Sequence, residues 1–177
     1  MTETILKMQK KVKRYLDKDR YDHTIGVMHT AGCLAMRYGA NLEQALTAGL
    51  LHDCAKCVPA DEKIKLCEKN HIEISDAEYK NPGLLHAKLG AFFARKKYEI
   101  ENEEILRSIE SHTTGRPNMS LLDKIIYIAD YIEPGRDVAP NLPEVRALAF
   151  VDIDACLYRI LEDTLAYLEK KGATVDP

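Results

Sequence analysis

No run of about 18 consecutive apolar residues occurs in this chain of 177 residues, so no segment reads as a membrane span. The opening stretch, residues 1–16, interleaves charged and apolar residues at helical spacing. It lacks the unbroken apolar stretch of a secretory signal. Cysteine is sparse and odd in number: Cys33, Cys54, Cys57, Cys67 and Cys156. An odd set without a secretory signal predicts reduced thiols in the cytoplasm. The pair Cys54 and Cys57 has no second pair of soft ligands nearby and no strand–helix setting. It therefore reads as buried free thiols rather than a zinc or redox site. Charge of one sign is lacking too. The formal net charge is -3, so no whole-molecule field draws nucleic acid, although a local basic pocket for a phosphorylated small molecule stays open. Repeats, low-complexity tracts and linkers are absent, and the length suits one domain over residues 1–177.

What is present is helical periodicity. Ile5, Met8, Val12, Tyr15 and Leu16 form one stripe, and Tyr21, Ile25, Met28, Gly32 and Ala35 a second that ends near Gly39. Asn41 looks like the N-cap of a third helix through Leu50, and Pro59 opens a short fourth. Residues 70–83 are more polar and end in the turn signal Asn81-Pro82-Gly83; only short isolated stretches, such as residues 70–74, have strand character. Helices are expected over 84–98, 100–112, 121–132, 142–150 and 152–171, with breaks at Gly115-Arg116-Pro117 and Pro134-Gly135. The fold class is all-α, a helical bundle.

Several polar residues interrupt the apolar stripes. His52-Asp53 closes the run Ala48-Gly49-Leu50-Leu51, and Asp130 sits behind Ile125-Ile126-Tyr127-Ile128-Ala129. A charge at the end of a buried stripe needs a partner, and a metal cation is one. His23 supplies a further imidazole. Imidazole with carboxylate and no thiolate suits iron, manganese, cobalt, nickel or zinc and leaves coordination open for water. His86 and His112 fit a second metal bridged by Asp53, or a phosphate contact. His29 and His71 read as structural or exposed. The bland alternative for Asp130 is a helix-to-helix salt bridge.

The surrounding strings go further. RYDHTIGV at Arg20, LLHDCAK at Leu50, HTTG at His112 and IYIADYIEPGRD at Ile126 resemble the signatures of the YqeK family, within the HD superfamily of metal-dependent phosphohydrolases. The resemblance spans nearly the whole chain. It implies a single HD-type domain that hydrolyses diadenosine tetraphosphate symmetrically to two ADP, by a metal-activated water attacking a central phosphorus. It implies His23, His52, Asp53 and Asp130 as iron ligands, with one or two ions bound. It also implies nucleotide contacts from Arg20, the run Asp53, Cys54, Ala55 and Lys56, then His86, His112, Thr113, Arg136 and the tail Gly172, Ala173, Thr174 and Val175. Catalytic roles fall to Asp53 and Lys56.

The chemistry of these types agrees. Arg20 and Arg136 suit forked phosphate contacts. Lys56, one helical turn beyond His52, suits charge building on a transferring phosphoryl group. The bland readings are a solvated Arg20, Lys56 paired with Asp61 or Glu62, and Arg136 paired with Glu133 or Asp137. The expected partner is a dinucleoside polyphosphate or ADP, with neither nucleic acid nor membrane, and a homodimer is compatible with the helical surface stripes. Two rival functions share these features. One is an HD-type nucleotidase or phosphodiesterase with another substrate, and the other is a nucleotide-sensing module that does not cut.

Overall fold

The computed structural model describes residues 2–175. Within them the chain forms ten α-helices and one 3₁₀ turn, and no strand. The helices are α1 (Glu3–Val12), α2 (Lys18–Tyr38), α3 (Leu42–Leu51), α4 (Ala60–Lys69), α5 (Asp76–Lys80), α6 (His86–Tyr98), α7 (Glu103–Ser111), α8 (Leu121–Ile132), α9 (Leu142–Ala149) and α10 (Ile153–Lys171). The 3₁₀ turn, Pro82–Leu85, leads directly into α6.

Polar caps set most of the boundaries. The Asp17 side chain accepts from the Arg20 amide to start α2, and Asn41 accepts from the Gln44 amide to start α3. Gly39 takes the left-handed conformation, φ 70°, that ends α2. Ser120 with Asp123 forms a capping box at the head of α8.

Residues 70–74 are not a strand. They are a turn at Asn70 and His71 and an irregular link after it, in which Ile72 and Ile74 pack on a small core of Cys54, Ala55, Cys67, Leu85, Leu89 and Phe93. The short helix α5 follows, where the sequence pattern predicts only turn. A capping box between Ser75 and Glu78 starts it, and Lys88 reaches the buried Glu78 carboxylate at 2.8 Å. Such side-chain devices leave no periodic signal in five residues.

The main core is built by α2, α3, α7 and α8, with α10 closing over α8. α8 is the most apolar of them: Ile125, Ile126 and Ile128 are fully buried. The pairing of α2 with α3 is close because Gly49 has no side chain; a Cβ there would lie 2.9 Å from the Met28 Cα. That approach carries the C-terminal end of α3, and so His52 and Asp53, against the flank of α2 beside His23.

A candidate metal centre and the cleft beside it

Helix ends converge on one buried point. His23 comes from the start of α2, and His52 caps the end of α3 with Asp53 in the turn after it. His86 opens α6, His112 caps the end of α7, and Asp130 lies in the last turn of α8. The last turn of a helix has carbonyls without intrahelical partners, and here imidazoles take them. His52 Nδ1 donates to the Gly49 carbonyl at 2.7 Å, and His112 Nδ1 to the Ile109 carbonyl at 2.7 Å. His86 Nδ1 donates to the Gly83 carbonyl of the 3₁₀ turn at 2.6 Å. His23 Nδ1 donates instead to the Glu133 carboxylate at 3.0 Å.

Each of these acceptors forces the proton onto Nδ1. Every Nε2 then presents a lone pair, the form that binds a metal. Those lone pairs face carboxylates and one another. His23 Nε2 lies 2.9 Å from Asp130 Oδ1, and His52 Nε2 lies 3.5 Å from Asp53 Oδ2. His86 Nε2 is 3.0 Å from His112 Nε2 and 3.2 Å from Asp53 Oδ1. His23 Nε2, His52 Nε2 and Asp53 Oδ1 are buried without a hydrogen-bond donor. Buried acceptors crowded in this way repel unless a cation lies among them.

Two sets meet the distance requirement. The ligand atoms of His23, His52 and Asp130 lie within 4.8 Å of one another, and so do those of His52, Asp53 and His112. Asp53 joins the two sides, since Oδ2 faces His23, His52 and Arg20 while Oδ1 faces Lys56, His86 and His112.

The charges follow from this packing. Burial acts to raise the Asp53 carboxyl, but its imidazole neighbours, His52 foremost, hold it well below the usual range, because without a metal a second proton on Nε2 takes the cation's place. Asp130 behaves likewise: burial opposes, and the His23 hydrogen bond with the charges of His52 and His112 lowers it. Burial pushes His86 down to about 4, against its hydrogen bond to Asp53. His86 is therefore neutral near pH 7. An unfolded histidine titrates near 6.5, so between about 6.5 and 4 the unfolded chain binds a proton that the folded one refuses. Metal-free protein is expected to be fully stable above that window and to lose of the order of 3 kcal/mol on passing down through it. The lowered carboxylates act only below the ordinary aspartate range, outside it. Urea midpoints at pH 7 and pH 5 check this, and a midpoint that holds or rises at pH 5 contradicts it.

Cationic side chains ring the cluster. Arg20 Nη1 bonds Asp53 Oδ2 at 2.9 Å, so it is not a solvated helix-start charge. Lys56 Nζ sits 3.1 Å from His86 Nε2 and 3.8 Å from Asp53 Oδ1, not on Asp61 or Glu62. The Arg136 side chain pairs with neither Glu133 nor Asp137; it forks onto Asp130, through Nη2 to Oδ1 at 2.7 Å and Nε to the carbonyl at 3.0 Å. The Thr113 hydroxyl lies 3.1 Å from both His86 Nε2 and His112 Nε2.

From this point a cleft of about 720 Å³ runs along α8 to α10, with His112, Thr113, Asp130 and Arg136 at one end and Tyr131, Asn141, Asp163 and Tyr167 further along. Tyr131 donates to the Asn141 side-chain oxygen at 3.1 Å, and the Asn141 amide donates to Asp163. Asn141, Asp163 and Tyr167 did not stand out in the sequence.

Some expected site residues lie elsewhere. Cys54 and Ala55 are buried in the small core; the Cys54 thiol approaches the Gly90 carbonyl at 3.5 Å, and burial pushes it up to about 12. Cys54 is thus an inert packed thiol, whereas Cys57 is exposed, against the expectation for the pair. Gly172 is the left-handed cap of α10, and Ala173, Thr174 and Val175 beyond it are exposed; none lines the cleft. His29 and His71 are exposed. Glu133 was missed as a site residue, although the argument that marked Asp130, a carboxylate closing an apolar run, applies to it equally.

The HD domain model matches residues 20–135, from Arg20 through the Gly135 turn. This chain belongs to the HD domain family. An HD domain implies a divalent metal, and the donor set just described fits one. The chain is 41% identical over 166 residues to a Bacillus subtilis protein named bis(5'-nucleosyl)-tetraphosphatase, symmetrical, covering 94% of this chain and 88% of that one. A Halalkalibacterium halodurans protein of the same name is 43% identical over the same shares. A crystal structure from Clostridium acetobutylicum, described as a predicted HD superfamily hydrolase involved in NAD metabolism, superposes with a TM-score of 0.92 at 42% identity. The superposition covers 96% of this chain and 89% of that one. No helix among the described residues is long and apolar enough to cross a membrane.

Proposed function

We infer that this HD domain is a metal-dependent enzyme that cuts diadenosine tetraphosphate symmetrically into two ADP. The observation that carries the reading is identity of 41% and 43%, across 94% of the chain, to relatives named for that activity. The cluster supports it, because a buried set of lone pairs ringed by Arg20, Lys56 and Arg136 suits a polyphosphate.

His23, His52, Asp53 and Asp130 hold the metal in this reading. His86 and His112, together with Asp53, would hold a second ion. The family resemblance favours iron; manganese, cobalt, nickel and zinc share the same donor preference. A divalent cation so held supplies Lewis acidity to a phosphoryl oxygen and makes water a better nucleophile near neutral pH. The remaining work falls to the chain. Arg20 and Arg136 grip phosphate oxygens as forks and set the register of the polyphosphate. Lys56 offsets charge building on the phosphoryl oxygens, and the Thr113 hydroxyl donates a hydrogen bond to them. The cleft takes a nucleoside, with Tyr131 and Tyr167 as its aromatic walls and Asn141 and Asp163 as its polar partners. Residues 1–177 act as one domain, in the cytoplasm, where free thiols and a nucleotide substrate belong together.

A substrate panel tests the reading. Metal-loaded protein is expected to show its highest kcat/KM on diadenosine tetraphosphate. A far higher value on a mononucleotide or a cyclic dinucleotide would replace it with a nucleotidase or phosphodiesterase. Tight nucleotide binding without turnover would replace it with a sensing module.

A further inference from the structure

Glu133 ends α8 and is buried at 3% exposure, yet it has no part in the metal or nucleotide roles above. Both of its oxygens are used. Oε1 accepts from His23 Nδ1 at 3.0 Å, and Oε2 accepts from the Gly135 amide at 2.7 Å. Room for the carboxylate is made by glycine on two sides. A Cβ at Gly26 would lie 2.3 Å from Oε2, and one at Gly135 would lie 3.0 Å from both oxygens. Gly26 and His23 are three residues apart on one face of α2, so the gap and the ring it serves are neighbours. The turn after α8 is held from its other side by Arg146, whose guanidinium donates to the carbonyls of Ile132, Glu133 and Arg136, each at 2.8 Å.

We propose that Glu133 is a positioning residue for the metal centre, fixing the His23 ring so that Nε2 faces Asp130 and Asp53, and tying that ring to the turn that carries Arg136. The inference rests on the metal reading of the cluster and is independent of which nucleotide is cut. A carboxylate on the far nitrogen of a ligating imidazole fixes its tautomer and orientation and makes it more basic. The shared turn adds a second consequence. Any shift of Glu133 moves a candidate ligand on α2 and the Arg136 segment together.

The test measures cobalt(II) affinity by competition with a chromophoric chelator, on variants whose circular dichroism matches the parent. Glu133→Ala is expected to bind cobalt about 10- to 100-fold more weakly. Glu133→Gln should recover only part of that loss: the amide oxygen still accepts from His23 Nδ1, but the NH2 group then meets the Gly135 amide, another donor. Gly26→Ala should weaken binding although the carboxylate remains, since the added methyl displaces Oε2; the same change ordinarily strengthens a helix. Arg146→Ala loosens the turn but leaves the Glu133 carboxylate to accept from His23, so it should lose clearly less affinity than Glu133→Ala. A folded Glu133→Ala protein with parental affinity overturns the proposal. So does an Arg146→Ala protein that loses as much affinity as Glu133→Ala, which would make the effect one of turn integrity. A parent that binds no cobalt removes the metal reading itself, whereas an error in the assigned substrate leaves all these affinities unchanged.

Discussion

Asp53→Ala is expected to abolish metal binding and hydrolysis together, with kcat/KM down by at least about 10³-fold. The two carboxylate oxygens of Asp53 face opposite halves of the cluster. Its Oδ2 lies 2.9 Å from Arg20 and 3.5 Å from His52, and its Oδ1 lies 3.2 Å from His86 and 3.6 Å from His112. Without that carboxylate a metal would lose a ligand and the Arg20 cation loses its counter-charge. Metal analysis of purified protein and steady-state rates measure the outcome. Full metal occupancy with retained turnover in Asp53→Ala would show that the ion is held elsewhere.

Arg136→Ala is expected to separate binding of metal from use of substrate. Its side chain is more than a third exposed at the mouth of the cleft and engages Asp130 Oδ1 at 2.7 Å. That oxygen also faces His23, so Arg136 competes with a metal for it and is not needed to hold one. Metal content should therefore be kept or slightly raised. Loss of a charge-assisted phosphate fork should lower kcat/KM by about 10- to 100-fold. Unchanged kcat/KM would remove the phosphate role, and loss of metal would make Arg136 a structural support of Asp130.

Much of this was legible in residue order. Helix α8 matches its expected span because its apolar run is bounded by a capping serine and by Pro134, both local signals. Asn41 likewise marks the start of α3 correctly. The same reasoning found His52, Asp53 and Asp130, since a charge closing a buried stripe is conspicuous in any helical sequence. Three things were not legible. α5 depends on the reach of Lys88 and on a capping box, contacts that periodicity does not report. The Nδ1 partners of the histidines are backbone carbonyls, which carry no residue signature at all. Glu133 closes an apolar run as Asp130 does, but its pairing with His23, 110 residues away, shows only in the fold. The CxxC pair misled in part for the same reason. Cys54 faces the small core while Cys57, one turn on, faces solvent, so spacing alone does not place both thiols.

The central claim is that a metal cluster joined by Asp53 cuts the tetraphosphate chain at its middle. The most direct measurement separates the products formed from diadenosine tetraphosphate by metal-loaded protein, taken early in the reaction. Two molecules of ADP per substrate consumed, with none from the metal-stripped protein, is the predicted result. ATP with AMP, or equal turnover after the metal has been removed, would contradict it.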